Sequence, residues 1–296
     1  MATTDEDLIE TEPIETEPIE TERRAVGRAA RGALRVPPQA FESRLTVRSY
    51  EASRGDVISP GTVLRYLEHL ATRASAALGF DNRWYRDHNT AWVVREMSLL
   101  LGDLPGIDDE LRLFTWVADF RRVQATRDYL IIHADTGRLV ARASARWAYI
   151  DRVRLTPARI PDEITTRMGP WGHAMRARQP EPLLSDAPII SEMSLIARDY
   201  EADTQQHINN CVYLDWFHEA AAQTAAQGAL TGTPVRPRPR FYRLEYIRAT
   251  QPGDALSVAT TAPLRERSRA LGFWQTITAP GGVAARAWTE SLLVGS

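Results

Sequence analysis

The sequence predicts an α+β fold made of two similar halves, each with a long buried helix wrapped by an antiparallel sheet. Three observations predict it: a segment repeated at a spacing of 150 residues, an apolar helical pattern inside both copies, and β-rich runs after each helix. The chain of 296 residues is long enough for about two ordinary domains. Its 44% hydrophobic and 25% charged residues are typical of a globular protein with a packed core.

The first 40 residues differ from the rest and are predicted to form a disordered acidic tail. Residues 1–22 hold nine acidic residues and no basic one, and the segment IETE occurs three times. Such a segment has too little apolar surface to offset the entropy lost on ordering. It is too acidic for a transit peptide and lacks the regions of a secretory signal, so we expect a cytoplasmic protein. A solubilising tail is the simpler interpretation, and masking of the basic body is the alternative.

The chain from residue 23 onward is basic, because it holds all 36 basic residues, while nine of the 38 acidic residues lie in residues 1–22. A basic body suits an anionic partner. We do not expect nucleic acid, because the sequence has no binding motif and no basic-aromatic interleaving. No apolar run approaches the roughly 20 residues that span a bilayer. With Cys211 as the one cysteine and no His/Asp/Glu set at ligand spacing, we expect no metal and no cofactor.

The repeat places residues 50–71 over residues 200–221 without gaps, and both segments begin with Tyr-Glu-Ala. A strong N-cap residue precedes each predicted helix, Ser59 in the first copy and Asn209 in the second. Pro60 then takes the first helical position, where no N–H is needed. Apolar residues recur at helical spacing after both caps, so each copy is predicted to form a long buried helix.

The β-rich runs after each helix predict an antiparallel meander. Its last hairpin turns at DTG (135–137) in the first half and at APGG (279–282) in the second. A long helix wrapped by such a sheet is the hot-dog arrangement, and the expected architecture is a tandem double hot dog. We expect the two sheets to join edge to edge, so that neither half leaves an exposed edge strand.

The predicted domains follow from the repeat. Residues 1–40 form the tail, 41–155 the N-terminal hot-dog domain, 156–190 a proline-rich linker, and 191–296 the C-terminal hot-dog domain. Such a chain can be complete as a monomer or pair again as a homodimer.

From about residue 41 onward the chain resembles the acyl-acyl carrier protein (acyl-ACP) thioesterases of plants and bacteria. HINNCVYLDW (207–216) is similar to that family's H-[VI]-N-N-x-x-Y-[LI]-x-W segment, and LEYIRAT (244–250) to its L-E-Y-R-R-E-C. TWVADFRRVQATRDYLI (115–131) and TGRLVARASARWAYID (136–151) are similar to strands of its first domain. The resemblance implies a double hot-dog hydrolase that cleaves the thioester between a fatty acyl chain and the phosphopantetheine arm of ACP.

The resemblance also implies a set of site residues. The family's D-x-N-x-H falls on Asp203, Gln205 and His207, with glutamine in place of asparagine. The glutamate of its R-R-E-C falls on Ala249. In the family that glutamate is thought to help activate the attacking water, which alanine cannot do.

Thioester hydrolysis needs a water, a base, and donors for the charge that develops on the carbonyl oxygen. His207 can take a proton at neutral pH. Asp203 can act as general base, as nucleophile or as the group that orients His207, and Gln205 can orient the substrate or the water. N–H groups at a helix start lack intrahelical partners and attract an anion. The expected donors are the backbone N–H groups of Asn209, Asn210 and Cys211.

The repeat offers an internal control for this assignment. It sets Asp203, Gln205 and His207 against Ser53, Gly55 and Val57. If the polar residues only built the turn, both copies should carry them, so their restriction to the second half favours chemistry there. A polar network at the helix start without chemistry stays as the alternative.

The remaining candidates weigh less. No Gly-x-Ser-x-Gly motif is present, and we expect Cys211 in the core rather than as a nucleophile. Arginines just before a predicted strand are a natural dock for acidic ACP: Arg236, Arg238, Arg240 and Arg243. The alternative functions are an acyl-CoA thioesterase and a non-hydrolytic acyl-ACP-binding protein that lost its activity with the glutamate.

Overall fold

The computed structural model describes residues 36–53, 55–172, 180–184, 186–267 and 270–294. The predicted tail lies outside this part as far as residue 35. Elements of the first half are β1 (Phe41–Thr46), α1 (Pro60–Ala77), α2 (Asn82–Asp87), β2 (Thr90–Leu101), β3 (Glu110–Arg121), β4 (Gln124–His133), β5 (Leu139–Asp151), β6 (Thr156–Pro157) and α3 (Asp162–Met168). Elements of the second half are β7 (Ile189–Ile196), α4 (Asn210–Ala226), β8 (Arg236–Tyr246), β9 (Ala255–Thr261), β10 (Arg265–Arg267), β11 (Ala270–Ala279) and β12 (Gly282–Val294).

The strands form one antiparallel sheet in the order β1-β3-β4-β5-β2-β8-β12-β11-β9-β7, with β6 paired to β5 and β10 to β11. The two halves join where β2 pairs with β8, in a register that sets Met97 against Leu244. The α+β class and the tandem double hot-dog arrangement are therefore confirmed. The expectation that neither half keeps an edge strand is wrong, because a tandem join uses one edge of each half and leaves β1 and β7 at the ends.

The two long helices begin as predicted. The Ser59 hydroxyl accepts the Thr62 N–H at 3.1 Å, and the Asn209 side chain accepts the Cys211 N–H at 2.8 Å. These caps set the first helical residues at Pro60 and Asn210.

The helices pack against each other and against the sheet. Their buried faces share one apolar core with the sheet. Arg65 of α1 bonds Asp215 of α4 at 2.6 Å, and these two positions are themselves 150 residues apart. The helix pair therefore keeps the symmetry of the repeat. Among the described helices, none is both long enough and apolar enough to span a bilayer.

The segment predicted as a linker contains α3. Ile160, Ile164 and Met168 are buried there against Phe80 and Val117 of the first half. This packing brings part of the connecting segment to the wall of the site described next.

Candidate active site

The helix-start loop, residues 202–209, leads into α4. Its backbone is closed by a bond from the Asp203 N–H to the His207 carbonyl at 2.8 Å, with Gln206 in the left-handed region at φ 63°. In the first half the Ser53 N–H donates to the Val57 carbonyl at the same 2.8 Å. Asp56, the equivalent of Gln206, has φ 59°. Both copies therefore build the same turn, and the polar side chains of the second copy are not needed to form it.

Neighbouring segments hold the helix-start loop in place. The Ile208 N–H donates to the Thr250 carbonyl at 3.0 Å, and Tyr213 of α4 bonds the Thr250 hydroxyl at 2.8 Å. Ala249 is exposed beside Thr250. Ala249 stands at the position of the family's glutamate. This position therefore lies beside the helix-start loop but carries no carboxylate.

A cavity of about 670 Å³ lies against this loop. Its polar wall includes Asp203, Gln205 and Asn209 of the second half. Its other walls come from the first half and from α3, and their apolar part includes Phe80, Trp92, Val117, Phe120, Trp147 and Met168. The cavity therefore joins the helix-start loop of one half to an apolar space inside the other.

The structure brings two of the three predicted catalytic side chains to this cavity. Asp203 and Gln205 line it, and the Asp203 carboxylate accepts the Gln205 N–H at 2.7 Å. His207 is partly buried and is not among the lining residues. Within the described part of the chain, its imidazole forms no hydrogen bond.

The predicted backbone donors are mostly engaged. The Asn209 N–H donates to the Glu201 carbonyl at 2.9 Å, and the Cys211 N–H donates to the Asn209 cap. The expectation of open donors at Asn209 and Cys211 does not hold, because the preceding turn and the cap use both groups. The Asn210 N–H is the predicted donor that has no hydrogen-bond partner among the described residues.

Glu68, near the middle of α1, is a cavity residue that the sequence analysis missed. Its carboxylate accepts the Asn209 side-chain amide at 3.3 and 3.2 Å and the Cys211 thiol at 3.1 Å. Burial, reinforced by the Glu68 charge, raises the pKa of the Cys211 thiol, so Cys211 is a protonated donor and not a nucleophile. The available signal was that Glu68 is the one acidic residue of α1.

Arg127 of β4 places a positive charge on the cavity wall with only 8% of the residue exposed. Its guanidinium has two distant contacts, the Thr115 hydroxyl at 3.5 Å and the Met168 sulfur at 4.0 Å. No described carboxylate forms an ion pair with it. Burial lowers the pKa of Arg127, so the charged form is held at a cost.

The arginines predicted as an ACP dock lie within β8 rather than before a strand. Arg238 bonds Asp103 at 3.3 Å, and Arg243 bonds Glu96 and the Ser98 hydroxyl. These contacts cross the β2–β8 junction between the halves. Part of the positive charge proposed for docking is therefore used to hold the halves together.

Comparison with known protein families accounts for both halves. Residues 38–168 match the acyl-ACP thioesterase N-terminal domain, and residues 189–290 match the acyl-ACP thioesterase C-terminal domain.

Individual relatives are plant enzymes. The chain is 27% identical over 197 residues to the chloroplastic acyl-acyl carrier protein hydrolase FATB2 of Cuphea viscosissima. This alignment covers 61% of this chain and 47% of that protein. It is 21% identical over 246 residues to the chloroplastic oleoyl-acyl carrier protein thioesterase 1 of Arabidopsis thaliana, covering 78% of this chain and 66% of that protein. The chain thus spans about half the length of the first of these relatives. Because they are chloroplastic, the cytoplasmic location stays a prediction.

Solved structures share the fold. An acyl-ACP thioesterase from Bacteroides thetaiotaomicron superimposes with a TM-score of 0.70 at 18% identity, covering 86% of this chain and 98% of that one. The 12:0-ACP thioesterase from Umbellularia californica superimposes with a TM-score of 0.71 at 20% identity, covering 86% and 94%.

Proposed function

Because the chain belongs to the acyl-ACP thioesterase family, we propose that it hydrolyses the thioester of a fatty or related acyl chain on ACP and releases the free acid. The observation that carries the proposal is the composite cavity. An acyl chain needs an apolar enclosure, and its thioester needs polar groups at one end. The apolar walls of the first half and the Asp203–Gln205 wall of the second half supply these two parts.

The proposed reaction is addition of water to the thioester carbonyl carbon, followed by cleavage of the carbon–sulfur bond. The oxyanion of the intermediate is stabilised by hydrogen-bond donors. The Asn210 N–H, at the start of α4, is the backbone group proposed for this task. The reaction requires no cofactor or metal ion.

Asp203, Gln205 and His207 are the proposed catalytic side chains. Asp203 and Gln205 are supported by their place on the cavity wall and by the bond that fixes the Asp203 carboxylate. His207 is supported by its position in the family pattern alone.

ACP is the proposed partner. The positive charge of the body supports an acidic carrier, and the pantetheine arm would deliver the thioester to the cavity. The exposed Arg236 stays available for docking, whereas Arg238 and Arg243 already bind the first half.

One observation favours a second candidate. Ala249 lacks the carboxylate found at that family position, which is compatible with a protein that binds acyl-ACP without hydrolysing it.

The test is release of free thiol from purified acyl-ACP and acyl-CoA of several chain lengths, with Asp203→Asn as the matched variant. We expect turnover of acyl-ACP that Asp203→Asn greatly reduces. Faster turnover of acyl-CoA than of acyl-ACP would show that acyl-CoA is the preferred substrate. If neither substrate is turned over but acyl-ACP binds tightly, the chain is an acyl-ACP-binding protein and not a hydrolase.

A further inference from the structure

We propose that Glu68 is a catalytic residue, the general base that takes a proton from the attacking water. This inference rests on the proposed thioester hydrolysis. It assigns to α1, in the first half, the carboxylate that the second half lacks at Ala249.

Glu68 lies at the right place for this task. It lines the cavity together with Asp203 and Gln205, although it belongs to the other half of the chain. Asn209, whose side chain it binds, is the N-cap of α4, and the Asn210 N–H, which has no hydrogen-bond partner in the described part of the chain, follows directly. Glu68 and the proposed oxyanion donor therefore adjoin one helix start, and addition of water to a carbonyl needs a base and a donor close together.

The bonds of Glu68 orient its carboxylate without neutralising it. Its three described donor contacts come from the neutral amide of Asn209 and the neutral thiol of Cys211. A carboxylate has about four acceptor sites, so one stays open for a water. Arg65, on the same helix, forms its ion pair with Asp215 at 2.6 Å. Among the described residues, no cation forms an ion pair with Glu68.

The repeat shows that this carboxylate is not a structural requirement of the helix. The position equivalent to Glu68 in α4 is His218, which is partly buried. Its Nδ1 contacts the Tyr242 hydroxyl at 3.2 Å. Two copies of the same helix thus carry different groups at this place, and the acid occurs where the cavity is.

The proposed step is balanced in atoms and charge. Water gives a proton to the Glu68 carboxylate while its oxygen bonds to the thioester carbonyl carbon. The tetrahedral intermediate then expels the pantetheine sulfur, which receives that proton from Glu68. The products are the free fatty acid and the ACP thiol, and the carboxylate is restored.

The first experiment compares Glu68→Gln with the wild-type chain on acyl-ACP. Glutamine keeps the shape and an acceptor for the Asn209 amide but cannot take the proton. We expect kcat to fall by about 10² or more with little change in KM or Tm, as for loss of a general base. The matched control is Glu219→Gln, an exposed α4 residue whose side chain bonds Gln223 and which should keep wild-type turnover.

The second experiment is chemical rescue. Glu68→Ala leaves space beside Asn209, so added formate should restore part of its turnover in proportion to concentration, and should not raise that of Glu219→Gln. Wild-type turnover by Glu68→Gln, or no rescue of Glu68→Ala, would overturn the inference. An inactive wild-type chain would instead reject the proposed hydrolysis itself, so the two failures are distinguishable.

Discussion

The two halves of the chain have the same backbone fold, but they differ in how the space inside the fold is filled. An Ala-Arg-Ala segment occurs at 141–143 in β5 and at 285–287 in β12, and both pair with the preceding strand in the same register. Ala145 and Thr289 each lie two residues after this segment. Ala145 pairs with Arg127 in the first half, and Thr289 pairs with Phe273 in the second. Arg127 lines the cavity, whereas Phe273 is fully buried in a cluster with Leu271, Leu230, Ala221 and Ala225. The first half therefore has a cavity at the place where the second half has a packed apolar cluster.

A duplicated fold can thus divide the lining of one cavity between its two copies. The second half supplies the polar helix-start loop, and the first half supplies the apolar space and Glu68. Neither half contains the whole site, because the loop of one meets the helix of the other across the α1–α4 packing. We therefore expect equivalent substitutions in the two halves to have unequal effects on turnover and stability.

The largest expected effect is that of Asp203→Ala. It removes a carboxylate from the cavity wall, so we expect turnover of acyl-ACP to fall by about 10² or more. Ser53→Ala, at the equivalent position, should stay close to wild type. Thiol release measures both, and Asp203→Asn separates loss of charge from loss of the bond to the Gln205 N–H. Equal losses at positions 203 and 53 would contradict the division between the halves.

The second prediction concerns His207 and its equivalent Val57. We expect His207→Ala to lower turnover by about 10², in line with loss of proton transfer, and Val57→Ala to change it little. The same assay with a Tm measurement checks both. Because His207 lies outside the cavity wall, unchanged turnover in His207→Ala would confine the chemistry to the wall residues. A loss as strong in Val57→Ala would remove the asymmetry argument.

The third prediction restores the family pattern. Ala249→Glu places a carboxylate alongside the helix-start loop, so in the Glu68→Gln background we expect it to raise turnover by about tenfold, part of what a general base supplies. In the wild-type background it should raise turnover less, because Glu68 already provides a base. Ala249→Gln, of the same size but without a charge, is the control. A similar gain from glutamate and from glutamine would assign the effect to packing.

Much of the fold was predictable because its signals are local or follow the repeat. The N-caps, the helical periodicity and the two hairpin turns each depend on a few neighbouring residues. Asp203 and Gln205, which line the cavity, could be singled out from the sequence because their positions match the family pattern and differ between the two copies of the repeat. Glu68 was missed because its bond to Asn209 spans 141 residues and exists only through the packing of α1 on α4. The open space beside Arg127 was missed because strand periodicity predicts a face, not whether that face is filled.

The fourth prediction concerns Arg127. A buried charge that forms no ion pair is costly, so an apolar residue of similar volume at its position should stabilise the fold. We expect Arg127→Met to raise Tm by a few degrees and to move acyl preference toward longer apolar chains. Arg44→Met, on an exposed position of β1, should leave both unchanged. Lower Tm in Arg127→Met would show that the two distant contacts of Arg127 outweigh its burial.

The smallest expected effect is at His218, which stands in α4 where Glu68 stands in α1. Burial lowers the pKa of His218 below its ordinary value of 6.5, against the opposing charges of Asp215 and Glu219. The unfolded chain therefore binds a proton more readily, so this contribution to stability is present above about pH 6.5 and is lost as pH falls toward the folded-state pKa. We expect Tm to fall less between about pH 7 and pH 5 in His218→Gln than in the wild-type chain. The matched control variant is His69→Gln, at an exposed position of α1. An equal fall in Tm with pH in the wild-type chain and in His218→Gln would mean that burial does not hinder protonation of the His218 ring. The closed packing of the second half would then not extend to this position.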